Sequence, residues 1–145
     1  MKKIEGIYST EIDNSLKQTT RQYLFGDLQK EQQLNAIKEK GIGIGITVAH
    51  KNDVDAPHYH TKITEYQYVL DGRVCILDIE TGKEYLYKKG DFYVIYPWFK
   101  HVQKMEKGSR VIFVKSEFID DKILVDIDDE LEKWMNDYSW IRNVK

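Results

Sequence analysis

The chain has 145 residues, with 22 Lys and Arg against 24 Asp and Glu, a net charge of −2 and a pI near 6.1. That length suits one domain with a usable core, and the charge balance excludes a basic nucleic-acid footprint. No apolar run approaches the ~18 residues of a membrane span, the Lys-containing start lacks the apolar centre of a signal peptide, and a lone Cys75 excludes an internal disulfide; these features predict a cytoplasmic protein with neither membrane nor nucleic acid as partner.

Residues 1–41 read as an N-terminal extension. Within it Tyr23-Leu24-Phe25 predicts a first strand before Gly26. Residues 27–40 have helix-forming composition, with Asp27 as cap and Gly41 as stop. Their apolar stripe is thin, and a solvated hairpin arm is the alternative. From 42 to 118 strands dominate. Ile42–His50 alternates at period two, as do parts of 65–70, 73–79, 84–88 and 92–96. Turns are predicted at Asp71-Gly72, Thr81-Gly82-Lys83, Lys89-Gly90 and Lys107-Gly108. Short strands with turns at about ten-residue spacing indicate a sandwich or barrel.

The first long strand has two unlike faces. Ile42, Ile44, Ile46 and Val48 form one, and Gly41, Gly43 and Gly45 the other. Glycine weakens a strand, so such a face needs a reason. Either the wall is cleared for a bound molecule, or the strand packs closely against an aromatic neighbour. Residues 119–145 read as a C-terminal helical segment, with a helix over 126–142. Asp126, Asp128, Asp129, Glu130 and Glu132 suit the positive end of its dipole. Leu131, Trp134, Met135, Tyr138 and Ile141 make one apolar stripe, which packs on the outside of the strands, forms a dimer contact or covers the mouth of a barrel.

The chemistry-bearing residues gather between 57 and 101. His58 and His60 are two apart and project from one face of an extended strand. Glu65 follows at a distance that lets the chain bend and return, and His101 lies downstream behind Pro97. The fourth histidine, His50, stands apart. Three imidazoles and a carboxylate form an N/O donor set that suits one divalent transition metal (Fe, Mn, Ni, Co or Zn) and leaves positions open for a substrate. The competing reading is a pair of ordinary surface histidines on a loop.

The pattern His58-x-His60-x4-Glu65-x6-Gly72 resembles the first signature of the cupin superfamily, small β-barrels that usually carry a metal. The segment from Gly90 through Pro97 to His101 resembles the second signature. The turn before His101 is one residue shorter than usual and lacks its glycine, with Trp98-Phe99-Lys100 in the gap. The resemblance covers roughly residues 42–116. It implies an all-β fold, a single antiparallel cupin-type β-barrel (double-stranded β-helix) over 42–118 between the N-terminal extension and the C-terminal helix. It also implies His58, His60, Glu65 and His101 as metal ligands. Barrels of this family often dimerise through an added N-terminal strand, so a homodimer is expected.

Further candidates line up around that set. Gln67 shares the pointing direction of Glu65, Tyr59 stands between the two histidines, and Trp98 and Phe99 occupy the His101 loop. These four are the candidate substrate contacts; no catalytic acid or base is assigned. The expected activity is metal-dependent isomerase or epimerase chemistry on a small oxygenated molecule: a sugar, sugar phosphate or keto acid. A cupin dioxygenase or decarboxylase, a non-catalytic small-ligand-binding module, and metal-free acid–base catalysis by the histidines are the alternatives.

Overall fold

The period-two alternation becomes two facing sheets in the structure, a computed structural model that describes residues 1–141. In chain order, helix α1 (Ser9–Ser15) and strand β1 (Arg21–Phe25) precede β2 (Gly43–Val48), β3 (Asp53–Val54), β4 (His58–His60) and β5 (Glu65–Asp71). There follow β6 (Arg73–Asp78), β7 (Glu84–Lys88), β8 (Phe92–Ile95), β9 (His101–Met105), β10 (Arg110–Lys115), β11 (Lys122–Leu124), helix α2 (Asp129–Met135) and a 3-10 turn (Ser139–Ile141).

One sheet runs β1-β2-β10-β5-β8; the other runs β11-β4-β9-β6-β7, with β3 paired to β9. All these strand pairs are antiparallel. The arrangement is the expected double-stranded β-helix, with one difference. The sheets do not close into a continuous hydrogen-bonded ring. At the edges β7 and β8, the rings of Tyr87 and Tyr93 stack at 4.5 Å and 15°, so a side-chain contact joins the two edge strands.

Inward-facing Val69, Val74, Ile76, Ile95, Met105 and Val111 form the core between the sheets. The two helices cover outer faces. Ile12 and Leu16 of the α1 region lie on Ile46 and Val48, and Leu131, Trp134 and Met135 of α2 lie on Leu77 and Val102. These three residues of the C-terminal stripe therefore pack outside the strands. Asp128 caps α2 by accepting from the Leu131 amide at 2.8 Å. The buried Lys104 ammonium lies 3.6 Å from the centroid of the Trp134 ring and donates to the Asp137 carbonyl. Helix α2 stops at Met135, well short of the predicted end; residue 142 of that prediction lies outside the described residues.

One expectation is corrected and one open alternative is decided. Residues 27–40 form no helix. Two glutamines hold them as a strap along β1: the Gln32 side chain accepts from the Tyr23 amide at 2.8 Å and donates to the Tyr23 carbonyl at 2.7 Å, while Gln22 accepts from the Leu34 amide at 2.9 Å. Burial of Leu34 and these tertiary hydrogen bonds outweigh a weak helical propensity. Of the two readings of the glycine face of β2, close packing against aromatic neighbours is the one that holds. A Cβ on Gly45 would lie 2.3 Å from Phe113 Cζ, and one on Gly43 2.5 Å from Phe118 Cδ2, so aromatic packing is what these glycines permit.

Candidate metal centre

His58 and His60 alternate with Tyr59 on β4, and this sends both imidazoles inward and Tyr59 outward. His101 opens β9 as the register partner of His58, and Glu65 opens β5 on the facing sheet. All four line one cavity of about 360 Å³, and each is at most 6% exposed. The His58 ring centroid lies 5.1 Å from that of His60 and 4.6 Å from that of His101; His60 Nε2 is 3.7 Å from Glu65 Oε2. Among the described residues no three His, Cys, Asp or Glu side chains are drawn into a finished metal cluster.

Each imidazole is pinned through Nδ1. His58 Nδ1 meets the Ala56 carbonyl at 2.6 Å, His101 Nδ1 the Phe99 carbonyl at 2.8 Å, and His60 Nδ1 the Asp121 carboxylate at 2.7 Å. A carbonyl oxygen only accepts, so Nδ1 of His58 and His101 carries the hydrogen and the neutral ring keeps its lone pair on Nε2. Burial lowers the pKa of His58 to about 3, reinforced by the neighbouring His101, and burial also lowers that of His101. Both rings are thus held in the neutral form that a metal requires. Outward Nδ1 donation to a carbonyl or carboxylate is the support that orients metal-binding histidines. The donor chemistry fits a divalent first-row metal.

Asp121 is a residue that sequence reasoning missed. Its Oδ1 takes His60 Nδ1, while Oδ2 accepts from the amides of Thr61, Lys62 and Ile63 at 2.7–3.0 Å. Burial alone would push this carboxyl up, but the Ile63 and Lys62 amides and His60 outweigh it and hold it at about 2.

A second network fixes Glu65. Gln67 Nε2 donates to Glu65 Oε1 at 3.0 Å, and Gln67 Oε1 accepts from Tyr93 Oη and from Gln103 Nε2. With both groups of Gln67 committed, Glu65 is left with Oε2 facing His60. Asp55, also missed, borders the same cavity and accepts from the Gln103 amide at 2.8 Å. Its surface is open to the cavity, yet protein encloses the carboxyl, and burial pushes it up to about 7 against the Gln103 amide and the charges of Lys122 and Arg21.

The other candidate contacts divide. Gln67 lines the cavity. Tyr59 and Trp98 do not; they stack on each other outside at 5.7 Å, with Trp98 63% exposed. Trp98 adopts φ 69° and donates its amide to the His60 carbonyl at 2.6 Å, which ties the shortened turn back to β4. Phe99 stacks on His101 at 5.2 Å and 8°, behind the imidazole and not in the cavity. Cys75 is buried, and burial raises its thiol to about 11, which leaves it unreactive.

Residues 45–114 match the family model described as Cupin domain. A comparison with curated proteins gave no match. Among solved structures the chain is similar to an uncharacterized conserved protein with a double-stranded beta-helix domain from Klebsiella pneumoniae subsp. pneumoniae, with a TM-score of 0.60 and 15% identity, covering 86% of this chain and 100% of that one. It is similar to KdgF from Halomonas sp., with a TM-score of 0.53 and 20% identity, covering 70% of this chain and 80% of that one. It is also similar to a cupin sugar phosphate isomerase from Silicibacter pomeroyi, with a TM-score of 0.51 and 16% identity, covering 61% of this chain and 59% of that one. At these identities the likeness concerns the fold.

Proposed function

We propose, from the premise that residues 45–114 of this chain form a cupin domain, that the protein is a metal-dependent enzyme with isomerase- or epimerase-type chemistry on a small oxygenated molecule in carbohydrate metabolism. The observation that carries the reading is the Nδ1 pinning of three buried imidazoles around one cavity that also receives Glu65. His58, His60, Glu65 and His101 would hold one divalent ion (Fe, Mn, Ni, Co or Zn). When bound, the metal acts as a Lewis acid that polarises a substrate oxygen.

The chain's own groups do the rest. Gln67, Tyr93 and Gln103 hold Glu65 in place through connected hydrogen bonds. Asp55 borders the cavity, and burial raises its carboxyl from the ordinary range to about 7. That suits a group that takes a proton from one carbon and returns it to another. That one protein of similar fold is described as a sugar phosphate isomerase supports the reading.

Among the described residues no helix is long and apolar enough to cross a membrane; a cytoplasmic homodimer is part of the proposal. Tyr66, Tyr68, Leu70 and Phe92 leave an exposed apolar patch on the outer face of β5 and β8, which supports self-association. Sedimentation as a single 17.2 kDa species at micromolar concentration argues against the dimer.

The central test is metal analysis of protein purified without chelator or affinity tag, followed by assays under air and argon. One equivalent of divalent metal and oxygen-independent turnover of a sugar phosphate or keto acid are expected. Oxygen-dependent turnover selects a dioxygenase or decarboxylase instead. Metal with binding but no turnover selects a ligand-binding module, and failure to take up any divalent metal refutes the metal-dependent reading.

A further inference from the structure

Two lysines stand directly opposite candidate ligands. Lys122 on β11 is the register partner of His60, and Lys115 on β10 is the register partner of Glu65. Paired residues of an antiparallel ladder point to the same side, so both lysines face inward, and both line the cavity. Arg21 on β1 joins them. Its guanidinium donates from Nε to Thr47 Oγ1 at 3.3 Å and lies 4.7 Å from the centroid of the Phe113 ring.

Among the described residues none of these three cations has a carboxylate within 4 Å. Lys115 uses one donor, to Tyr23 Oη at 3.0 Å. Most of the donors on the three side chains remain unspent. The carboxylates of the same wall are engaged elsewhere: Asp53 with the Val54 amide, Asp55 with the Gln103 amide and Glu65 with Gln67. Asp53, Asp55 and Glu65 share the cavity but none lies within ion-pair distance of these three cations, so an anion that enters it meets unspent donors.

We infer that the substrate is an anion, and that Arg21, Lys115 and Lys122 form the subsite that receives its carboxylate or phosphate while the rest of the molecule reaches the imidazoles. The Lys122 and Arg21 charges already act on Asp55 across this wall, so their field reaches the cavity. A neutral sugar leaves those donors unmatched, whereas an acid or phosphate ester takes charge-assisted bonds from them. This inference rests on the cavity being the ligand site, as proposed above, but not on turnover.

The test compares glucose, glucose 6-phosphate and glucuronate by calorimetry on the full chain, metal-free and loaded with Mn(II). At least one anion should bind roughly tenfold or more tighter than glucose, and the tighter of the two identifies the group as phosphate or carboxylate. Arg21→Gln, Lys115→Gln and Lys122→Gln should each loosen that anion several-fold, while Lys122→Arg should retain it. Melting curves of each variant separate lost binding from lost folding. No preference for either anion over glucose, or anion binding unchanged in all three folded Gln variants, overturns the subsite. Anion preference in a protein that takes up no metal or turns nothing over keeps the subsite and sinks only the enzymatic reading.

Discussion

His60 and Asp121 meet at 2.7 Å although 61 residues separate them. The contact ties an inward imidazole of β4 to the segment that runs into β11, and the same carboxylate gathers three consecutive amides of the turn after His60. Ring orientation and turn shape are therefore set by one side chain.

Replacing Asp121 should show both roles. Asp121→Asn substitutes an acceptor oxygen by an amide that only donates, so either His60 or the amide cluster loses its partner. Metal affinity is expected to fall roughly 10- to 100-fold, as for other lost supports of metal-binding histidines. Fluorescence or calorimetric titration with Zn(II) checks this, and unchanged affinity would rule out the support role. The Asp121 pKa is depressed to about 2, so its stabilisation is complete above the unfolded carboxylate value, about 4, and is lost as pH falls toward 2. The variant should show a shallower acid-unfolding curve.

His60→Ala removes one of four proposed ligands and leaves Asp121 without its imidazole partner. Metal content and turnover should drop together. The fold should persist at a cost of about 1–3 kcal/mol, the usual penalty for a stranded buried acceptor. Full metal stoichiometry in the variant, measured by elemental analysis, would remove His60 from the site.

Asp55 predicts a pH dependence of the opposite sign. Its folded pKa is raised, so its contribution to stability is complete below about 4 and is lost as pH rises through about 7. The effect is softened because the residue is open to the cavity. Asp55→Asn keeps an oxygen to accept the Gln103 amide but cannot ionise. Its melting temperature should vary less between pH 5 and pH 8, roughly the range spanned by the shifted carboxyl, than that of the parent. Parallel curves would show that Asp55 does not titrate there.

Gly45→Ala tests the aromatic packing of β2. The added methyl would meet Phe113 Cζ at 2.3 Å and the Gln22 carbonyl oxygen at 2.9 Å, and the second contact is backbone that cannot rotate away. A loss of about 1–3 kcal/mol is expected in denaturant unfolding. A neutral result would mean that β1 and β2 separate more easily than their ladder implies.

Much of the site was legible because its signals are local. Period-two alternation alone makes His58 and His60 share a face and turns Tyr59 away, whereas Glu65 and His101, which line the same cavity, were expected there from the resemblance to the cupin signatures. Tyr59 obeys that alternation, so the strand turns it outward onto Trp98 and away from the cavity where a substrate contact was expected.

What the amino-acid order determined by itself is what repeats within a few residues: strand faces, turns at Asp71-Gly72 and Lys89-Gly90, and the paired histidines. Tertiary structure alone decided the rest. Residues 27–40 became a strap because Gln22 and Gln32 reach them from β1 and from within, a choice that local propensity does not encode. Asp121, Asp55, Lys115 and Lys122 gained their roles only when sheet register set them beside His60, Gln103 and Glu65. Pairing across dozens of residues leaves no periodic trace in the sequence, and burial, which shifts the carboxyl of Asp55 one way and helps hold His58 and His101 neutral the other, exists only once the sheets face each other.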